Sequence, residues 1–99
     1  MNKLFSINFL KKILKITEIH LENFLNRVRD NGYKVKATKA VKEFIAEEGY
    51  SEEFGVRPIH RAITTYIQNT ITKAILEKKI QNGDSFIVDY VKGEVVVKK

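Results

Sequence analysis

The chain has 99 residues, of which 43% are hydrophobic and 30% charged, with a formal net charge of +6 and no cysteine. This is the composition of one ordinary folded domain with a modest core; it excludes a disordered chain, a disulfide framework and a thiolate metal site. The positive balance is compatible with nucleic acid or an anionic surface, but lysines are scattered over every element and Lys, Ile and Asn are common throughout, so charge alone selects no partner.

The opening MNKLFSINFLKKILKI has a short apolar run broken by Lys11 and Lys12 and no small-residue cleavage site, so it reads as helix rather than as a leader. No stretch approaches the roughly 20 apolar residues of a membrane span. Leu10, Ile13, Leu14, Thr17, Leu21, Phe24, Leu25 and Val28 recur at three- and four-residue steps, which predicts one long amphipathic helix. Its solvent face carries Lys12, Lys15, Glu22, Asn26 and Arg29, and Asp30-Asn31-Gly32 ends it.

YKVKAT alternates and predicts a short half-exposed strand. Thr38 is then an N-cap for a second helix that buries Val41, Phe44 and Ile45, with Gly49 as its stop. After the acidic connection YSEEFG, Pro58 opens a third helix. Ile59, Ala62, Ile63, Tyr66, Ile67, Thr70, Ile71, Ala74 and Ile75 form its apolar stripe. QNGDS is a turn, and SFIVDYV and EVVVK form a hairpin closed by Lys92-Gly93. The predicted order is helix, strand, helix, helix, strand, strand, all in one unit spanning 1–99.

Little in these elements suggests that the chain catalyses anything alone. There is no GxxxxGK[ST] phosphate loop, and His20 and His60 lie on different helices without a helical metal-ligand partner. His20 falls near an apolar stripe, as a packed or rim histidine, and His60 on an exposed side. Arg57 is the residue that asks for an explanation. It directly precedes the only proline, so it stands beside a helix N-terminus, where a cation has the wrong sign. Two explanations follow from the residues. Glu47, Glu48, Glu52 and Glu53 form exposed pairs with Arg57 and Arg61, or an anion such as phosphate binds the guanidinium and the free helix N–H groups together. Pre-proline geometry pushes Arg57 toward an extended backbone, and Gly55 permits a tight approach.

The run EEGYSEEFGVRPIHRAITTYIQNTITKAIL resembles the sensor-2 region of Clp-type AAA+ unfoldases, where a GY-x-x-x-x-GARP-L-[RK]-R-A-I pattern precedes a long helix. Gly49, Tyr50, Gly55, Arg57, Pro58, Arg61, Ala62 and Ile63 match. The flanking helix, GYKVKAT and the closing NGDSFIVDYVKGEVVV follow the family in order, most like the second module of ClpC and next that of ClpB. Three positions depart: Val56 for alanine, Ile59 for leucine, and His60 for a basic residue, which removes a permanent charge.

The resemblance implies an α+β fold, the C-terminal small domain of an AAA+ module, with three helices packed against a small three-stranded sheet. It implies a lid over ATP and Mg²⁺ held mainly by an AAA+ large domain of the same polypeptide, with Arg57 reaching the phosphates, Gly55 and Pro58 shaping its approach, and Ile16 walling the adenine. It further implies contact with the neighbouring subunit of a homohexamer and, through the whole protein, with unfolded protein substrates and a Clp peptidase. A cytoplasmic, stromal or matrix location, including a plastid, fits, as does the lack of cysteine. On this reading the chain is one domain of a longer protein.

The same element order also describes a winged helix, which would read DNA through Arg61, Thr64, Thr65, Gln68, Asn69 and Lys73 on the third helix. The acidic connection counts against it: it is longer than a helix-turn-helix turn, and its carboxylates repel phosphate.

Overall fold

A computed structural model describes the backbone of residues 7–50, 55 and 58–99, and side chains from residue 11 onward within those ranges. The helical reading of residues 1–6 lies outside the described residues. Helix α1 (Ile7–Asp30) leads to strand β1 (Lys34–Ala37) and helix α2 (Lys39–Gly49). Then α3 (Pro58–Ala62), a π-helical segment π1 (Ile63–Gln68) and α4 (Asn69–Leu76) run on as one continuous helix. Strands β2 (Ser85–Val91) and β3 (Glu94–Lys98) complete the chain. This is the predicted α+β architecture, three helices and a three-stranded sheet.

The sheet order is β1-β2-β3, with β1 parallel to β2 and β3 antiparallel to it. Register follows the two-residue period. Val35 pairs with Phe86 and Val88 with Val97, so these side chains face the helices. Lys34, Lys36 and Ile87 occupy the opposite, solvent-facing side. The core between sheet and helices contains Leu21, Leu25, Val41, Ile45, Ile59, Ile67, Ile80 and Val88, all at 1% exposure or less.

Of the predicted α1 stripe, Ile13, Thr17, Leu21, Phe24 and Leu25 are buried and Leu14 and Val28 half-buried, while the Leu10 side chain lies outside the described ones. Thr17 is fully buried within it, and its hydroxyl donates to the Ile13 carbonyl at 2.8 Å, so burial leaves no unpaired group. Arg29 departs from expectation. Rather than lying free on the solvent face, it donates from Nε (3.2 Å) and Nη2 (2.7 Å) to the Val35 carbonyl, and from Nη1 to Asn26 and Glu22. Its fork occupies an acceptor of the edge strand β1 that no neighbouring strand uses.

Thr38 caps α2 as predicted, accepting from the Val41 N–H at 3.3 Å. It also donates to Asp89 Oδ1 at 2.7 Å, tying the start of α2 to β2. The Thr38 bond, the Tyr90 N–H at 2.7 Å and Lys98 hold the Asp89 carboxyl below the usual carboxylate range. Asp84 is lowered likewise, first by the Gln81 N–H and then by Lys99. Both carboxylates are favoured in the folded chain. They therefore stabilise it above the unfolded carboxylate pKa of about 3.9, and this contribution disappears as pH falls through the lower folded values. Thermal melts from neutral to acid pH should show a midpoint that drops below about pH 4. Asp89→Asn should lower the neutral-pH midpoint and flatten that acid limb, so the two curves converge at low pH. Parallel curves would contradict the assignment.

Two of the predicted chain breaks are present. Gly49 ends α2 as predicted, as its last helical residue, buried and without positive φ. A Cβ there would lie 2.7 Å from both Cα and Cγ1 of Ile59, so glycine is required by close approach of two backbones. In the hairpin, Lys92 (φ 50°) joins Gly93 (φ 82°) in the left-handed region, the mark of a type I′ turn.

Candidate functional site

The predicted site residues come from two helices and the connection between them. Arg57 and Val56 lie outside the described residues, as do Glu52 and Glu53. Gly55 takes φ +65°, with open space where a side chain would project. Pro58 begins α3, as its fixed φ favours. Ile59 follows fully buried, so the leucine-to-isoleucine departure is absorbed by the core. Ile16 is half-buried on α1 and packs against the main core cluster.

His20, one helical turn beyond Ile16 on the same face of α1, meets His60 of α3 with ring centroids 4.4 Å apart and rings inclined at 68°. Helix α1 thereby touches the first turn of the helix that Pro58 opens. At the base of the connection, Gly49 and Ile59 are in van der Waals contact, which fixes where the chain leaves α2 and re-enters helix. Sequence reasoning missed the histidine contact because its partners are far apart in the chain and neither sits in a ligand motif.

Glu48 accepts from the Tyr66 hydroxyl at 3.2 Å, and this bond raises the tyrosine pKa. Arg61 is exposed and forms no ion pair among the described residues. Tyr66 in turn meets Phe44 edge-on at 4.8 Å, and Phe44 stacks on Tyr90 at 4.3 Å, so an aromatic chain joins π1, α2 and β2 behind the site. The π segment itself is marked by the Asn69 N–H bonding to the Thr64 carbonyl. Beyond it the Thr70 hydroxyl donates to the Tyr66 carbonyl at 2.6 Å, supplying a donor where the ladder returns to α-helical spacing. Arg61, Thr64, Thr65, Gln68, Asn69 and Lys73 are all exposed, as expected of that face.

A groove of about 510 Å³ lies toward the other end of α1, lined by Phe24, Arg27, Val28, Tyr33, Ile71 and Ile75 among others. The Arg27 guanidinium sits 5.9 Å over the Phe24 ring there. None of Ile16, Gly55 and Pro58 contributes to it. Among the described residues no helix is long and apolar enough to cross a membrane.

Known proteins supply an independent comparison. The family model for the C-terminal, D2-small domain of ClpB protein matches residues 10–88. Chaperone protein ClpC4, chloroplastic, of Oryza sativa subsp. japonica is 40% identical over 75 residues, covering 76% of this chain and 8% of that protein. Chaperone protein ClpB of Malacoplasma penetrans is 34% identical over 85 residues, 86% of this chain and 12% of the relative. The S. cerevisiae Hsp104-ADP complex superposes with a TM-score of 0.75 and 30% identity over 100% of this chain and 17% of its own. The chain thus spans only about a tenth of the curated relatives it matches. These similarities give the winged-helix alternative no support, and on the strength of the family match the chain belongs to the D2-small domains of the ClpB-type Clp/Hsp104 chaperones.

Proposed function

We propose that this domain is the lid of an ATP-dependent Clp-type unfoldase, closing over a nucleotide held mainly by an AAA+ large domain. The observation that carries the reading is the family match, together with the contact of His20, one turn beyond Ile16 on α1, with His60 in the first turn of α3. The nucleotide, with its Mg²⁺, brings the phosphate chemistry. This chain's residues bind and orient it. Ile16 offers a half-buried aliphatic surface suited to a purine face. Gly55 allows a turn that a β-branched residue would strain, and Pro58 fixes the helix entry. Arg57 supplies a permanent, forked cation for terminal phosphate oxygens. Arg61, exposed on the same helix, adds positive potential nearby.

In the same reading the domain packs on the large domain of its own polypeptide and on the next subunit of a homohexamer. Through them, the state of the nucleotide passes to unfolded protein substrates and, where one is attached, a Clp peptidase. The setting is the cytoplasm or an organelle interior such as the plastid stroma. In the assembled ATPase that contains this domain, an ATP analogue with a photoreactive azide on the adenine should label the segment of α1 around Ile16. Ile16→Asp should abolish that labelling and weaken nucleotide binding. Labelling confined to other segments would remove Ile16 from the site.

A further inference from the structure

Among the described residues, the sheet order β1-β2-β3 leaves β3 without a strand on its outer side. The opposite edge is partly closed, because Arg29 takes the Val35 carbonyl of β1. Val91 and Glu94 face each other across the two-residue Lys92-Gly93 turn, so they form the closing hydrogen-bonded pair of the hairpin. Alternation then directs the backbone groups of Val96 and Lys98 to β2 and those of Val95 and Val97 outward. Two N–H and two C=O groups are thus presented to another strand. Val95, Val96 and Val97 all remain half-buried at this edge.

The edge Glu94-Val95-Val96-Val97-Lys98 is its own complement. An antiparallel copy centred on Val96 sets Val95 against Val97, Val96 against Val96, and Glu94 against Lys98 of the second chain. That register joins the outward groups in two hydrogen-bonded pairs. Sliding the copy by two residues either way sets Glu94 or Lys98 against Val96, and a parallel copy in register stacks like charges. Glu94 is exposed and forms no ion pair among the described residues. Lys98 is exposed and meets Asp89 at 3.3 Å, which occupies one of its three donors. Edge lysines ordinarily keep copies apart, but this register answers each with a carboxylate.

We propose that β3 docks on β3 of a second copy, forming a two-fold dimer in which the two three-stranded sheets become one. The contact is isologous, so it differs from the head-to-tail contacts of a ring and would join domains of two rings. It neither uses nor requires nucleotide.

Sedimentation of the 99-residue chain should show a monomer–dimer equilibrium with a Kd between about 10 µM and 1 mM, the scale of a short edge contact. In a mixture of isotope-labelled and unlabelled chains, filtered NMR spectra should record contacts from Val95 of one copy to Val97 of the other. Glu94→Lys sets lysine against Lys98 in both cross-strand pairs, and Lys98→Glu sets glutamate against Glu94. Each variant alone should dimerise at least about fivefold more weakly. An equimolar mixture of the two variants restores opposite charges in both pairs and should dimerise as the wild type does. A wild-type chain still monomeric at about 1 mM, contacts that map to another surface, or a mixture no stronger than its components would each overturn the pairing.

Discussion

Arg57→Ala, made in the ATPase that contains this domain, is expected to lower ATP turnover by about 100-fold, the scale of losing one preorganised donor to developing negative charge. The reasoning begins with a local conflict. Arginine stands immediately before Pro58, the first residue of a helix, where the backbone already presents positive charge. An anion resolves the conflict by taking up both sources of charge. Among the described acids, Glu48 accepts from the Tyr66 hydroxyl. Arg57→Lys should recover only part of the rate, since an ammonium keeps the charge and loses the fork. Arg61→Ala separates position from general charge: an equal loss in Arg57→Ala and Arg61→Ala would mean that only a diffuse positive field matters. Wild-type turnover in Arg57→Ala would sink the proposal.

Gly49→Ala should be a strongly damaging small substitution in the described fold. A Cβ at this position would lie 2.7 Å from Ile59 Cα, a backbone atom that cannot rotate away. Relief requires α2 and α3 to move apart, and Ile59, which is fully buried, would lose packing on the core side. Overpacking of this kind costs about 1–3 kcal/mol. For a domain of this size that corresponds to a fall in thermal midpoint of roughly 4–24 °C. Arg57 lies two positions before Ile59, so the same change should also lower ATP turnover in the assembled enzyme by shifting the anchor of the connection. Gly93→Asn provides the contrast. That glycine is at φ 82° with open space around it, and asparagine tolerates left-handed backbone. A melt of Gly49→Ala indistinguishable from wild type would show that the two helices can separate without cost.

The element order, the buried stripes of α1 and of the α3–π1–α4 helix, the Thr38 cap and the Lys92-Gly93 hairpin could all be read from the sequence. Each is encoded locally, by three-to-four-residue or two-residue periodicity, by a capping hydroxyl, or by a turn pair. The family pattern was equally legible, because the GY, G-x-RP and RAI residues occur in fixed spacing along one continuous run. Periodicity did not reveal π1. One wider turn hardly disturbs the apolar stripe from Ile63 to Ile71, and the change appears only in which carbonyl the Asn69 N–H reaches.

What the sequence determined by itself was therefore the class of fold, the lining of the core and the residues of the family motif. Tertiary structure decided the parallel pairing of β1 with β2, the use of Arg29 to cap an edge carbonyl, and the reason for glycine at position 49. It also decided that the Ile16–His20 face of α1 meets His60. Each of these depends on groups distant in the chain whose approach is set by how the helices and sheet share one core, and local propensity carries no record of that distance.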